Sequence, residues 1–204
     1  MNALLEKASP EQAIPDTGIE GVRLLPVTCR PDGRGCLTEL FRASWPGAFP
    51  TVQWNACDSR AGVVRGVHVH VDYDEVYTMP VGHVVLALHD IRPESPTRGQ
   101  AFQLDWRAGD GIAVTIPRGV AHAMLCVADS LLVMGLSSYW SGDFDTLGCQ
   151  YDDPRLDFAW PAGEVVRSER DRRSGTYEQM LLDYVHLRRA WLAMPSHPRD
   201  AVHA

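Results

Sequence analysis

Residues 62–82 read GVVRGVHVHVDYDEVYTMPVG. His68 and His70 alternate with valines, a short polar turn follows, and Glu75 opens the next apolar run. Successive side chains of a β-strand point to opposite faces, so His68 and His70 are expected to point together while Val67 and Val69 face the other layer. Glu75 can then turn back toward them. Further on, GIAVTIPRGVAH (111–122) reads as a strand–turn–strand corner that presents His122. His68, His70, Glu75 and His122 together make three imidazoles and one carboxylate. That set suits Fe, Mn, Ni, Co or Zn with one or two coordination positions open, and an open position is what metal-assisted catalysis requires. The plainer alternative is a hydrogen-bonded histidine pair inside a barrel. No organic cofactor is expected.

The surroundings of this stretch point to an all-β fold. Between about residues 20 and 160 the chain carries short β-rich runs: VRLLPVTC, LTELFRA, VVRGVHVH, EVYTMPV, HVVLALHDI, AFQLDW, GIAVTIP and SLLVMGLSSYW. Turn signals such as RPDGRG, RAGDG and PRG separate them. Many short strands without long helical patterns indicate a sandwich or barrel. The pattern changes at TYEQMLLDYVHLRRAWLAM (176–194), where Met180, Leu181, Tyr184, Leu187, Trp191 and Leu192 fall near helical spacing. The expected organisation is a loose arm over 1–18, a β-barrel over 19–172, and a helix with a frayed tail over 173–204.

Composition narrows the function classes. The 204 residues are 45% hydrophobic and 22% charged, with a net charge of −7 and a pI near 5.5. This balance argues against a nucleic-acid partner or an anionic membrane surface, which select for clustered Lys and Arg. A small anionic ligand would need a local arginine cluster. Cys29, Cys36, Cys57, Cys126 and Cys149 are an odd set without a CxxC pair, which favours reduced, mostly buried thiols. The first residues lack a basic region followed by an apolar run, so no signal peptide is expected. No stretch reaches the roughly 18 apolar residues of a membrane span. A cytoplasmic location is expected.

The spacings resemble the two cupin motifs. Gly62, His68-x-His70, Glu75 and Gly82 match the first, and Gly111, Pro117-x-Gly119 and His122 match the second, with Cys126 where an Asn is usual. A longer resemblance, over residues 21–171, is to the dTDP-4-dehydrorhamnose 3,5-epimerase family, which has the cupin jelly-roll fold. It rests on DGRGCLTELF, VQWNACDSRAGVVRGVH, VGHVVLALHDIRPESPTRGQ, IPRGVAHAM, SSYW and QYDDPRLDFAWP. The resemblance implies an isomerase in which His68 removes a proton beside a sugar ketone and Asp171 orients it. It implies that Arg65 holds the diphosphate or sugar, that Gln53 and Asn55 contact the nucleotide, and that His122 is a further active-site histidine. Arg34 would reach the substrate of a neighbouring subunit in a homodimer.

Three positions depart from that family. Its Gln two residues after the base is His70 here, its lysine is Glu75, and its tyrosine acid aligns with Met134 across a one-residue gap. The first two changes complete a ligand set, and the third removes the usual proton donor. Tyr139 lies at an odd offset from Met134 and would face the other way. Tyr77, two residues after Glu75, is the better substitute. Three functions follow: a nucleotide-sugar epimerase that works by enolisation with metal assistance, a metal-dependent cupin dioxygenase or lyase on a non-sugar molecule, and a non-catalytic nucleotide-sugar binding protein.

Overall fold

The computed structural model describes residues 14–140 and 147–194. Most of the expected arm and all of the tail 196–204 lie outside the described residues. The strands, in chain order, are β1 (Arg23–Pro26), β2 (Cys29–Asp32), β3 (Gly35–Thr38), β4 (Gln53–Ser59), β5 (Val64–His68), β6 (Glu75–Val81), β7 (His83–Asp90), β8 (Ala101–Arg107), β9 (Ile112–Ile116), β10 (Val120–Cys126) and β11 (Ser130–Leu136). Helices α1 (Glu169–Arg172) and α2 (Tyr177–Leu192) follow. One sheet has the order β1-β9-β6-β11-β4 and the other β5-β10-β7-β8. Their neighbours pair antiparallel. Together they form the expected jelly-roll barrel.

Strand alternation sorts the core into two layers. On β10, Val120, Met124 and Cys126 face the barrel interior with Leu86, Leu88, Trp106, Ile116 and Leu132. The intervening Ala121 and Ala123 face outward, joining Val67, Val69, Met180, Tyr184 and Trp191 in a second cluster beneath α2. Burying each large apolar side chain of that helix contributes roughly 1.5–3 kcal/mol. Thr176 caps α2 by accepting from the Gln179 amide, which satisfies one of the orphan donors of the first turn. The helix matches its expected span closely, although Leu192 is exposed.

Several expectations need correction. LTELFRA is not a strand beyond Thr38. β4 completes the five-stranded sheet, although Gln53–Ser59 stood outside the β-rich runs. Thr17, within the arm expected to be loose, is buried and accepts a hydrogen bond from the Ile19 amide. Cys29 and Cys36 form a disulfide, whereas Cys57, Cys126 and Cys149 are the expected buried thiols. The RPDGRG turn folds β2 back on β3 and leaves the two cysteine Cα atoms 6.1 Å apart, within disulfide reach.

Candidate active site

The site lies where the two sheets face each other. His68 ends β5 and is the register partner of His122 on β10. From the opposite sheet, Asn55 pairs with Met134 and Met134 pairs with Tyr77, forming one row across three strands. A cavity of about 200 Å³ lies between the two sheets, lined by all five residues together with Arg65, His70, Tyr73, Glu75 and Arg170, so that one wall centres on His68 and the other on Glu75. Gly66 lets β5 approach β10 this closely. Its φ is +111°, and a Cβ there would sit 2.6 Å from the His122 carbonyl oxygen.

On the first wall, His68 Nε2 lies 2.7 Å from Asp171 Oδ1. Ser168 caps α1 by accepting from the Asp171 amide at 3.0 Å, which aims the Asp171 carboxylate outward at His68. Burial pushes that carboxyl toward protonation. Hydrogen bonds from His68 and Ser168, with the charge of Arg170, outweigh burial and hold its pKa below the ordinary aspartate value. Arg65 donates through Nε to Ser59 Oγ at 2.8 Å. A second cavity of about 340 Å³ shares Arg65, His68 and Arg170 and adds Arg167. This is the local arginine cluster that an anionic ligand needs on an acidic protein.

On the second wall, three buried side chains converge. Donor atoms of His70, Glu75 and His122 all lie within 4.8 Å of one another. Glu75 Oε2 is 3.3 Å from His122 Nε2 and 3.7 Å from His70 Nε2. Tyr77 donates its hydroxyl to Glu75 Oε1 at 3.1 Å. His122 Nδ1 meets the Val120 carbonyl at 3.2 Å, where the ring nitrogen must be the donor because a carbonyl oxygen only accepts, and Nε2 lies on the side of the ring toward Glu75. Burial, reinforced by His122, His68 and Arg170, holds the His70 imidazole well below its ordinary pKa. It is therefore neutral at pH 7. Burial and the Glu75 charge push the Tyr77 phenol well above its ordinary value, so it keeps its proton.

The structure thus gathers three of the four expected ligands and leaves His68 outside the group. The physical reason is α1, which brings Asp171 to the Nε2 nitrogen of His68. Asn55 lines the cavity, whereas Gln53 binds Asn55 Oδ1 and the Trp140 amide. Arg34 stands apart at the tip of the β2–β3 hairpin, exposed and paired with Asp32. Sequence reasoning missed Tyr73 and Arg170. Tyr73 stacks on His70 at 4.3 Å between ring centroids, with its hydroxyl 3.3 Å from His70 Nε2. Its place in a turn concealed it. Arg170 was legible only through its neighbour Asp171.

A family model described as dTDP-4-dehydrorhamnose 3,5-epimerase matches residues 16–179. The chain belongs to that family. It is an isomerase of the sugar-nucleotide epimerase type. The spore coat polysaccharide biosynthesis protein SpsL of Bacillus subtilis is 26% identical over 156 residues, which cover 70% of this chain and 96% of SpsL. The dTDP-4-dehydrorhamnose 3-epimerase of Streptomyces niveus is 30% identical over 168 residues, covering 76% of this chain and 79% of that enzyme. Among solved structures, NovW of Streptomyces spheroides, a 4-keto-6-deoxy sugar epimerase from the novobiocin biosynthetic gene cluster, superposes with a TM-score of 0.74 at 26% identity. The match covers 93% of this chain and 95% of NovW. Among the described residues no helix is long and apolar enough to cross a membrane.

Proposed function

We propose that this isomerase epimerises a nucleotide-linked 4-keto-deoxysugar by enolisation, with His68 as the base. The observation that carries the reading is the His68–Asp171 pair, 2.7 Å apart, at the edge of a cavity shared with arginines. A proton beside a ketone is weakly acidic, so its base must be held within hydrogen-bond reach. Asp171 fixes the His68 ring and stabilises the imidazolium that forms when the proton is taken. Arg65 and Arg170 serve the anionic diphosphate, and Gln53 and Asn55 the nucleotide. Tyr77, which keeps its proton and is the cross-strand neighbour of Met134, returns a proton to the opposite face of the enolate. A homodimer in which Arg34 reaches the neighbouring site, and a cytoplasmic location, belong to the same reading.

A divalent cation at His70, Glu75 and His122 is the second element of the proposal. The buried donor set supports it: two imidazoles and one carboxylate, with the Nδ1 side of His122 occupied by a backbone carbonyl. Such outer contacts orient ligating histidines. When bound, the cation would polarise the sugar ketone and take over the charge stabilisation that the family's lysine supplies. In this arrangement His68 stays free to act as base, and the conflict between its two expected uses disappears.

Incubation with dTDP-4-keto-6-deoxyhexose, followed by reduction and identification of the sugar, tests the reading. The expected result is an epimer at C3 or C5. Unchanged sugar, with and without added Fe, Mn, Co, Ni or Zn, contradicts it.

A further inference from the structure

The turn between His70 and Glu75 is tied to the corner that precedes His122 by a dense set of bonds. Asp74 accepts from the Arg118 amide at 3.0 Å, from Arg118 Nε at 3.0 Å and from Nη2 at 2.6 Å. One residue on, the Gly119 amide donates to the His70 carbonyl at 2.8 Å. Asp74 is also fixed through its backbone: its amide donates to Ser137 Oγ at 2.8 Å, and its carbonyl accepts from the Ser137 amide at 3.0 Å. Behind this knot, the Arg118 guanidinium lies 5.2 Å over the Trp191 ring on α2. Arg118 and Asp74 side chains are only 19% and 24% exposed. The pair is therefore not a solvated surface contact, which would hold little geometry.

We propose that Asp74 and Arg118 are positioning residues, which set the spacing of His70, Glu75 and His122, and that Trp191 holds Arg118 in register. His70 lies before the knot, Glu75 directly follows Asp74, and His122 lies four positions after Arg118, so the three donors sit on two segments that this knot ties together. A two-point fork and a stacked plane define orientation as well as distance, which an ammonium group would not do. The C-terminal helix thereby becomes part of the support of the site. Its catalytic consequence rests on the epimerase reading above. Its structural content does not.

The test uses Asp74→Asn, nearly isosteric, and Arg118→Lys, which keeps the charge without the fork. Long-range 1H–15N spectra of the imidazoles give a readout that needs no substrate. His89 is the internal control, because it is buried elsewhere and held by the Leu156 carbonyl and Tyr177 hydroxyl. The expected result is shifted His70 and His122 signals with His89 unmoved. In turnover assays kcat falls about tenfold to a hundredfold while KM stays within twofold, as expected for misplaced groups. Trp191→Ala reproduces part of the loss, and Trp191→Phe restores most of it. Unmoved His70 and His122 signals overturn the inference, whatever happens to kcat. Absence of turnover in the unaltered protein sinks the epimerase reading instead, and the imidazole signals still decide the positioning question.

Discussion

The two walls of the cavity are built from the same barrel yet differ in how closely they match the family resemblance. The wall of His68, Asp171 and Arg65 keeps the residues that the family resemblance requires. The wall of His70, Glu75, Tyr77 and His122 replaces the family's Gln and Lys with His70 and Glu75, and Met134 stands where the tyrosine is expected. The first wall presents one partly exposed imidazole, whose side chain is 22% exposed beside an aspartate at 5%. The second is buried throughout and packs three metal-competent donors and a phenol together. On the reading proposed above, the base and the electrostatic support of the enolisation fall on different residues, so one can be altered without the other.

Removing the base should have the largest effect. His68→Asn is expected to lower kcat for epimerisation by about three orders of magnitude, within the range typical of general bases. Asp171→Asn should cost less, because the ring loses its orientation and its counter-charge but remains present. Equal losses for the two would erase the distinction between base and support on the first wall. On the second wall, Tyr77→Phe is expected to lower kcat about a hundredfold. Met134→Tyr, added to it, should recover much of that loss, since the two positions are directly paired across β6 and β11. Failure of the double variant to recover any activity would detach Tyr77 from the family's acid position.

The cation separates the walls more finely. Elemental analysis of freshly purified protein should find a stoichiometric transition metal, and His70→Gln should lose most of it. Asp171→Asn should retain it. Metal loss in Asp171→Asn to the same degree as in His70→Gln would show that the two walls are not independent.

Much of this contrast was legible in the sequence, and the parts that were not share a cause. The alternation of VVRGVHVH correctly separated His68 and His70, which line the cavity, from Val67 and Val69, which pack beneath α2, although β5 ends at His68. The helix over Tyr177–Leu192 was legible from its apolar spacing. Asp171 came only from family resemblance, since nothing local links residues 103 positions apart. The separation of His68 from the other three donors was invisible, because it depends on where α1 docks. Tyr73 was missed because side-chain direction in a turn has no period. The Cys29–Cys36 disulfide was missed because cysteine counting says nothing about a hairpin register.

A smaller effect lies outside the cavity lining and calibrates the rest. Asp90 is fully buried at the end of β7 and paired with Arg92. Burial opposes its ionisation, yet hydrogen bonds from Arg92, Ser95 and Thr97 together hold its pKa down to about 2. A depressed carboxyl stabilises the fold above its unfolded pKa of about 3.9 and loses that contribution as pH falls toward 2. Urea unfolding should therefore show Asp90→Asn less stable by about 2 kcal/mol at pH 7, with the gap narrowing below pH 4. A gap that stays constant down to pH 2 would mean that packing, not charge, is lost.

The most direct test follows the proton itself. The unaltered protein is incubated with dTDP-4-keto-6-deoxyhexose in deuterated water, and the C3 and C5 proton signals are followed by NMR. The account predicts that at least one signal disappears as solvent deuterium enters, and that His68→Asn leaves both intact while still binding the nucleotide. Both signals persisting in the unaltered protein, with dTDP bound and divalent metals supplied, would contradict it.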